Sequence, residues 1–168
     1  GAVLRARILA DQEPAQELAP MAFTPCVGGM AGAYPCNNID LGAFLPNSTI
    51  GGGGGSSIWG GTDPLTGKEY ALMGRTNGTA FVDITNPTSP IYLGNLPSAS
   101  GTSSWRELKA YDTYAYIISD SNGAHGMQVF DLTQLRNVTT PPVTFTAPRY
   151  TGFGSAHDIT INPDTGYL

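Results

Sequence analysis

Charge is scarce in this chain: 12% of its 168 residues are Asp, Glu, Lys or Arg, about half the usual share for a soluble domain. Basic residues are scarcer still, 8 against 13 acidic, for a net charge of −5. No basic stripe exists to neutralise a phosphate backbone, which excludes nucleic acid as a partner. No apolar run approaches the roughly 20 residues that cross a bilayer as a helix, so no transmembrane segment is expected. His125 and His157 are the only histidines, and Cys26 and Cys36 the only cysteines, so a four-ligand zinc site has no paired spacing to build on. No G-x-S-x-G elbow occurs. The segment GTDPLTGKE (61–69) has the wrong glycine spacing for a phosphate loop and leads into a strand, so nucleotide binding is excluded as well.

Glycine (22 residues) and proline (13) are plentiful, and both are poor in helix interiors. Aromatic residues make up a tenth of the chain, enough to fill a core. These features predict an all-β, turn-rich domain. Residues 1–24 read as an unstructured leader, and Arg5, Arg7 and the short apolar patch around them are compatible with the tail of a trimmed signal peptide. Residues 25–57 read as a cysteine loop followed by a flexible linker, the glycine run 51–55. Cys26 and Cys36 are expected to form a disulfide, which places the protein in an oxidising compartment. Sequons at Asn47, Asn77 and Asn137 are compatible with secretion.

From residue 58 the sequence repeats. Glu69-Tyr70-Ala71-Leu72-Met73 aligns with Thr113-Tyr114-Ala115-Tyr116-Ile117, and Gly78–Ile84 aligns with Gly126–Leu132, at offsets of 44 and 48. A third copy begins where Asn162-Pro163-Asp164-Thr165-Gly166-Tyr167 echoes Asp63–Gly67 and Tyr70. Self-similarity at this period, with several short strands per unit, predicts β-propeller blades. Four to eight blades close a ring. Two copies and the start of a third therefore read as an incomplete β-propeller over residues 58–168, a fragment truncated at its C-terminus. Its open blade faces and strand edges invite self-association.

The stretch AFVDITNPTSPIYLG (80–94) resembles the LVIVD repeat. Together with CVGGMAGAYPCNNIDLGAFLP (26–46), the SSIWGG…DITNP segment (56–87), SSWRELKAY (103–111), HGMQVFDLTQLRNV (125–138) and YTGFGSAHDITINPDTGY (150–167), it is similar to choice-of-anchor B family proteins. The resemblance covers residues 25–168 and implies a secreted or surface-attached, propeller-like protein with a variable C-terminal anchor. It implies no established activity. The glycine run 51–55 and Gly61 depart from the family pattern.

Several residues are candidates for a site. Trp59 and Trp105 can form an aromatic platform for sugar rings or peptide side chains, or pack between blades. Arg106 and His157 sit at the entrance of equivalent strands, where polar groups of several blades can converge on one ligand. His157 with Asp158 is the only pair suggesting catalysis, as metal ligand or general base. A Ser155–His157–Asp158 triad is disfavoured because neighbours on a strand alternate faces. His125 reads as a solvated turn residue. Asp83 and Asp131 could contribute carboxylates to calcium, the one cofactor considered, but their repetition at strand ends favours a structural role capping the following turn. The expected role is therefore a binding module for a surface protein or carbohydrate. A metal-dependent hydrolase or lyase working in the propeller channel, and a purely structural surface protein, are the alternatives.

Overall fold

The chain is all-β, as its glycine- and proline-rich composition predicts. A computed structural model describes residues 18–168. Eleven strands are present among the described residues: β1 (Met30–Ala31), β2 (Tyr34–Pro35), β3 (Gly55–Thr62), β4 (Glu69–Arg75), β5 (Gly78–Asp83), β6 (Ile91–Pro97), β7 (Arg106–Tyr111), β8 (Tyr114–Ser119), β9 (Met127–Asp131), β10 (Val143–Thr144) and β11 (Arg149–Tyr150). Helix is confined there to two 3-10 turns, Asn47–Ile50 and Leu132–Asn137. β1 and β2 form a small hairpin, a five-stranded sheet runs β10-β6-β5-β4-β3, and a four-stranded sheet runs β11-β9-β8-β7.

Strand pairing gives the repeat a physical register. Tyr70 of β4 faces Asp83 of β5 and Gly61 of β3, while Tyr114 of β8 faces Asp131 of β9 and Tyr111 of β7. The second and third strands of each sheet thus correspond at the two offsets visible in the sequence. The first strands correspond at an offset of 50, which makes Lys109, not Trp105, the counterpart of Trp59. The third copy keeps its turn. Asp63 N donates to Lys68 O (2.8 Å), Gly67 N to Asp63 O (2.9 Å) and Leu65 N to Asp63 Oδ1 (2.9 Å). Asn162 N, Gly166 N and Asp164 N repeat those bonds to Tyr167 O, Asn162 O and Asn162 Oδ1 at 2.9, 2.8 and 2.9 Å. Gly67 and Gly166 both take the left-handed conformation that such a turn demands, at φ +68° and +72°.

The two large sheets share one core. Tyr70, Leu72 and Phe81 of the first meet Leu108, Ile117 and Phe130 of the second. Phe81 stacks on Phe130 with ring centroids 4.3 Å apart, and Phe145 closes on both rings edge-on. The opposite face of the first sheet, carrying Ala71, Met73, Ala80 and Val82, is covered by Leu45 and Ile50.

Most of the expected leader, residues 1–17, lies outside the described residues. Its last part is paired: Met21 exchanges backbone hydrogen bonds with Phe44, and Thr24 with Leu41. Cys26 and Cys36 form the expected disulfide. The glycine run differs from the flexible linker expected of it. It lies against the β4–β5 turn, with Thr76 N donating to Gly54 O (2.9 Å), Asn77 Nδ2 to Gly51 O (3.2 Å) and an Arg75 guanidinium N–H to Gly52 O (2.7 Å). A Cβ at Gly53 would come within 2.7 Å of the Thr76 hydroxyl. Close approach explains Gly51, Gly53 and Gly55 better than flexibility does, while Gly52 has open space around it and a left-handed φ of +72°.

Candidate functional site

The first strands of the two sheets, β3 and β7, run side by side. Gly74 permits this, because a Cβ there would stand 3.1 Å from both Leu108 Cδ2 and Ser57 O. The Ser56 hydroxyl stitches the strands: it accepts from Arg106 N (3.0 Å) and lies within donating reach of Ser104 O (2.9 Å) and Arg106 O (3.2 Å). The resulting strip presents Trp59, which is 42% exposed, with Lys109 Nζ 4.3 Å from its ring centroid. Lys109 also donates to Glu107. Beside Trp59 a groove of about 400 Å³ opens between Lys109, Tyr111, Ile159, Ile161 and Pro163. Farther along the strip a smaller recess of about 210 Å³ is lined by Ser57, Trp105, Glu107 and His157, with Trp105 57% exposed. Both indoles are partly exposed, and Trp59 also packs across the joint against Lys109 of the second sheet.

His157 does not pair with Asp158. Its Nδ1 lies 2.9 Å from Asp120 Oδ2, and Asp158 Oδ1 accepts from Ile159 N at 2.8 Å. The hydrogen bond from His157, with a second from Ser121 N, holds the Asp120 carboxyl below its ordinary pKa. Ser155 belongs elsewhere, accepting from Asn122 N and reaching Gly123 O. The chemical consequence is an imidazole at the wall of the recess, oriented through Nδ1 by a carboxylate. Among the described residues no group of three or more His, Cys, Asp or Glu stands together as a metal would require.

Asp83 and Asp131 each accept the backbone N–H two residues on, Thr85 at 3.0 Å and Thr133 at 2.9 Å. Asp83 also pairs with Lys68 at 3.0 Å. Burial raises the Asp83 carboxyl, but the hydrogen bonds from Thr85 and Lys68 outweigh it and the net shift is downward.

Arg106 and His125 depart most from expectation. Arg106 contributes only backbone to the strip, through its bonds to Ser56, and its side chain is buried inward. Its guanidinium donates to Arg75 O (2.9 Å), Ser98 Oγ (2.9 Å) and His125 Nε2 (3.0 Å). Burial, and then the nearby Arg75 charge, push its pKa down to about 10. His125 is equally buried and not a solvated turn residue. With Nε2 accepting from Arg106, its Nδ1 must carry the hydrogen it donates to Gly126 O at 2.9 Å, so the ring is neutral. Burial accordingly lowers its pKa.

Four acid–base side-chain pairs were not expected from the sequence: Lys68–Asp83, Lys109–Glu107, Arg136–Asp63 and His157–Asp120. Asp63 takes a bidentate pair from Arg136 at 2.5 and 2.6 Å, which holds its carboxyl far below the usual range. Asp120 is the partner of His157. Residues 73 and 37 apart carry no local signal, although the repeated Asp-Pro turn singles out Asp63 as a strand-end carboxylate. No family model, curated protein or solved structure matches the chain. No helix among the described residues is long and apolar enough to cross a membrane.

Proposed function

We propose that the two sheets are consecutive blades of an LVIVD-repeat propeller of the choice-of-anchor B type, acting outside the cell or at its surface as a binding module. Three features support the blades: the repeated register, the first strands lying side by side, and the recurrence of the Asp63 turn at Asn162. The Cys26–Cys36 disulfide fits an extracellular setting. The observation that carries the binding role is the strip itself, where Trp59 and Trp105 are half-exposed beside Lys109, Glu107, Ser57 and His157. Flat apolar rings ringed by hydroxyl, carboxylate and imidazole groups match the alternating C–H faces and hydroxyls of a carbohydrate chain.

An immobilised glycan panel tests this. Trp59→Ala and Trp105→Ala should each weaken retention at least about tenfold, equivalent to about 1.4 kcal/mol, with melting temperature unchanged. Full retention by both variants would refute the role of the strip, and failure of the unaltered protein to retain any glycan would redirect the search to a protein partner. The orientation of His157 by Asp120 is the one observation favouring a metal-dependent hydrolase. A transition-metal ion such as zinc, or a chelator, should then shift the melting temperature, and an unchanged melting curve would remove that reading.

A further inference from the structure

Lys68, Lys109 and Arg136 each pair with a carboxylate, whereas Arg75, Arg106 and Arg149 have no carboxylate partner among the described residues. Arg75 and Arg106 are buried and held by neutral acceptors. Arg149 is exposed. Its Nη1 donates to Ala99 O (3.3 Å) and Ala124 O (3.1 Å), which holds the guanidinium in place while Nε and Nη2 make no hydrogen bond to the described residues. The two charges converge: burial lowers the His125 pKa, and Arg106 and Arg149 both lower it further.

Arg149 stands on the wall of a groove of about 380 Å³ between the two sheets, lined also by Leu96, Ser98, Gln128, Phe145 and Ala147. Both walls are paired within those sheets, β6 with β10 and β9 with β11. The groove offers donors without acceptors to match them. Pro97 O and Ala99 O already accept, from Gln128 Nε2 (2.9 Å) and from Arg149. A serine oxygen has two lone pairs, and both are taken at Ser98, by Arg106 Nη2 at 2.9 Å and Asn122 Nδ2 at 3.3 Å. The Ser98 hydrogen has no acceptor among the described residues and is left to donate into the groove. Accepting from a buried guanidinium strengthens that donor. Beside these donors the floor is apolar, made by Leu96, Phe145 and Ala147.

We infer that this groove binds a small carboxylate carrying an apolar group. The carboxylate accepts N–H from Arg149 and O–H from Ser98, and the apolar group lies on Leu96, Phe145 and Ala147. A planar carboxylate matches the fork of the guanidinium, and the volume is that of a small-molecule site. An inorganic anion would meet the donors but leave the floor uncovered. The groove shares no lining residue with the groove beside Trp59 or the recess beside Trp105, so the inference is independent of the carbohydrate reading.

Nuclear magnetic resonance titration of the 168-residue chain with N-acetylphenylalanine and with octanoate tests it. Both acids should give saturable shifts at Ser98, Gln128 and Arg149. N-acetylphenylalaninamide, which lacks the charge, and acetate, which lacks the apolar group, should each bind at least about tenfold more weakly. Arg149→Gln should weaken N-acetylphenylalanine by a similar factor with an unchanged circular dichroism spectrum, and Arg149→Lys should recover only part of the loss. Thr146→Trp, at an exposed position on the groove's lining, should block binding without altering charge. Absence of saturable binding by both acids overturns the inference, as does equal binding of the amide or undiminished binding to Arg149→Gln. If Arg149→Gln unfolds the chain, Thr146→Trp decides, and unchanged binding there removes the groove as the site.

Discussion

Phe130→Ala is the sharpest test of how the two sheets are joined. The ring is fully buried, stacked 4.3 Å from Phe81 and edge-on to Phe145 at 5.2 Å. Truncation removes the transfer free energy of the ring and leaves a cavity between two sheets whose backbones are fixed by their ladders. The expected cost is about 3–5 kcal/mol. For a domain of this size that corresponds to a melting temperature lower by roughly 6–20 °C. The repeat supplies its own control. Val82, the counterpart of Phe130, packs on the opposite face with Ile50 and Leu45, and Val82→Ala should cost only about 1–2 kcal/mol from two lost methyl groups. Urea titrations followed by tryptophan fluorescence and by circular dichroism give both values, provided the two probes coincide. A double-mutant cycle with Phe81→Leu and Phe130→Leu should add a coupling of about 0.5–1.5 kcal/mol. If Phe130→Ala costs no more than Val82→Ala, the rings do not hold the sheets together, and the shared core is refuted.

Two further outcomes follow from buried groups. His125 is neutral when folded and its pKa is lowered from 6.5, so below that value the unfolded chain binds a proton the native state refuses. Its contribution is fully present above pH 6.5 and is lost as pH falls towards the folded value. A urea series at several pH values should show stability declining below pH 6.5, and His125→Gln should flatten that decline; an equal slope in the variant would show that another group is responsible. At Gly94, a Cβ would overlap Val143 O and stand 2.9 Å from the Phe145 ring. Gly94→Ala should therefore cost about 1–3 kcal/mol by displacing β10, and a melting temperature within experimental error of the unaltered protein would contradict the β6–β10 pairing.

The second and third strands of each sheet were legible in the sequence because one local chemistry recurs in them. A Tyr-Ala pair opens an apolar run, and an Asp closes the next one by accepting its own turn's N–H. The first strands were not legible. Gly-Ser-Ser-Ile-Trp-Gly-Gly and Arg-Glu-Leu-Lys-Ala-Tyr share no residue type at equivalent positions, and only backbone pairing to β4 and β8 reveals the offset. The glycine run misled for a related reason. Composition alone cannot separate glycine chosen for freedom from glycine chosen for closeness, and the answer lay in Arg75, Thr76 and Asn77 over 20 residues away. Of the strip, Trp59, Trp105 and His157 were identified from the sequence, while Lys109 and Glu107 become visible only once β3 and β7 lie side by side.

Arg106 and His125 were read as solvent-facing because local sequence makes a charged residue at a strand entrance, or a histidine in a glycine turn, look solvated. What buries them is a line of donors and acceptors assembled from distant parts of the chain. Arg75 reaches Gly52 of the glycine run and Asn95 of β6, Arg106 reaches the Arg75 carbonyl and Ser98, and His125 completes the line from the β8–β9 loop. Every acceptor in it is a carbonyl, an amide, a hydroxyl or a neutral ring nitrogen; no carboxylate takes part. A carboxylate would offset the desolvation of one guanidinium more strongly, but by a single strong pair. Neutral acceptors spread the guanidinium's planar fork over several elements at once, a geometry lysine does not reproduce. The line thus ties the glycine run, the first sheet and the second sheet together beside the recess that Trp105 and His157 line. The charge that reading by composition assigns to a ligand is spent on positioning the surface that would meet one.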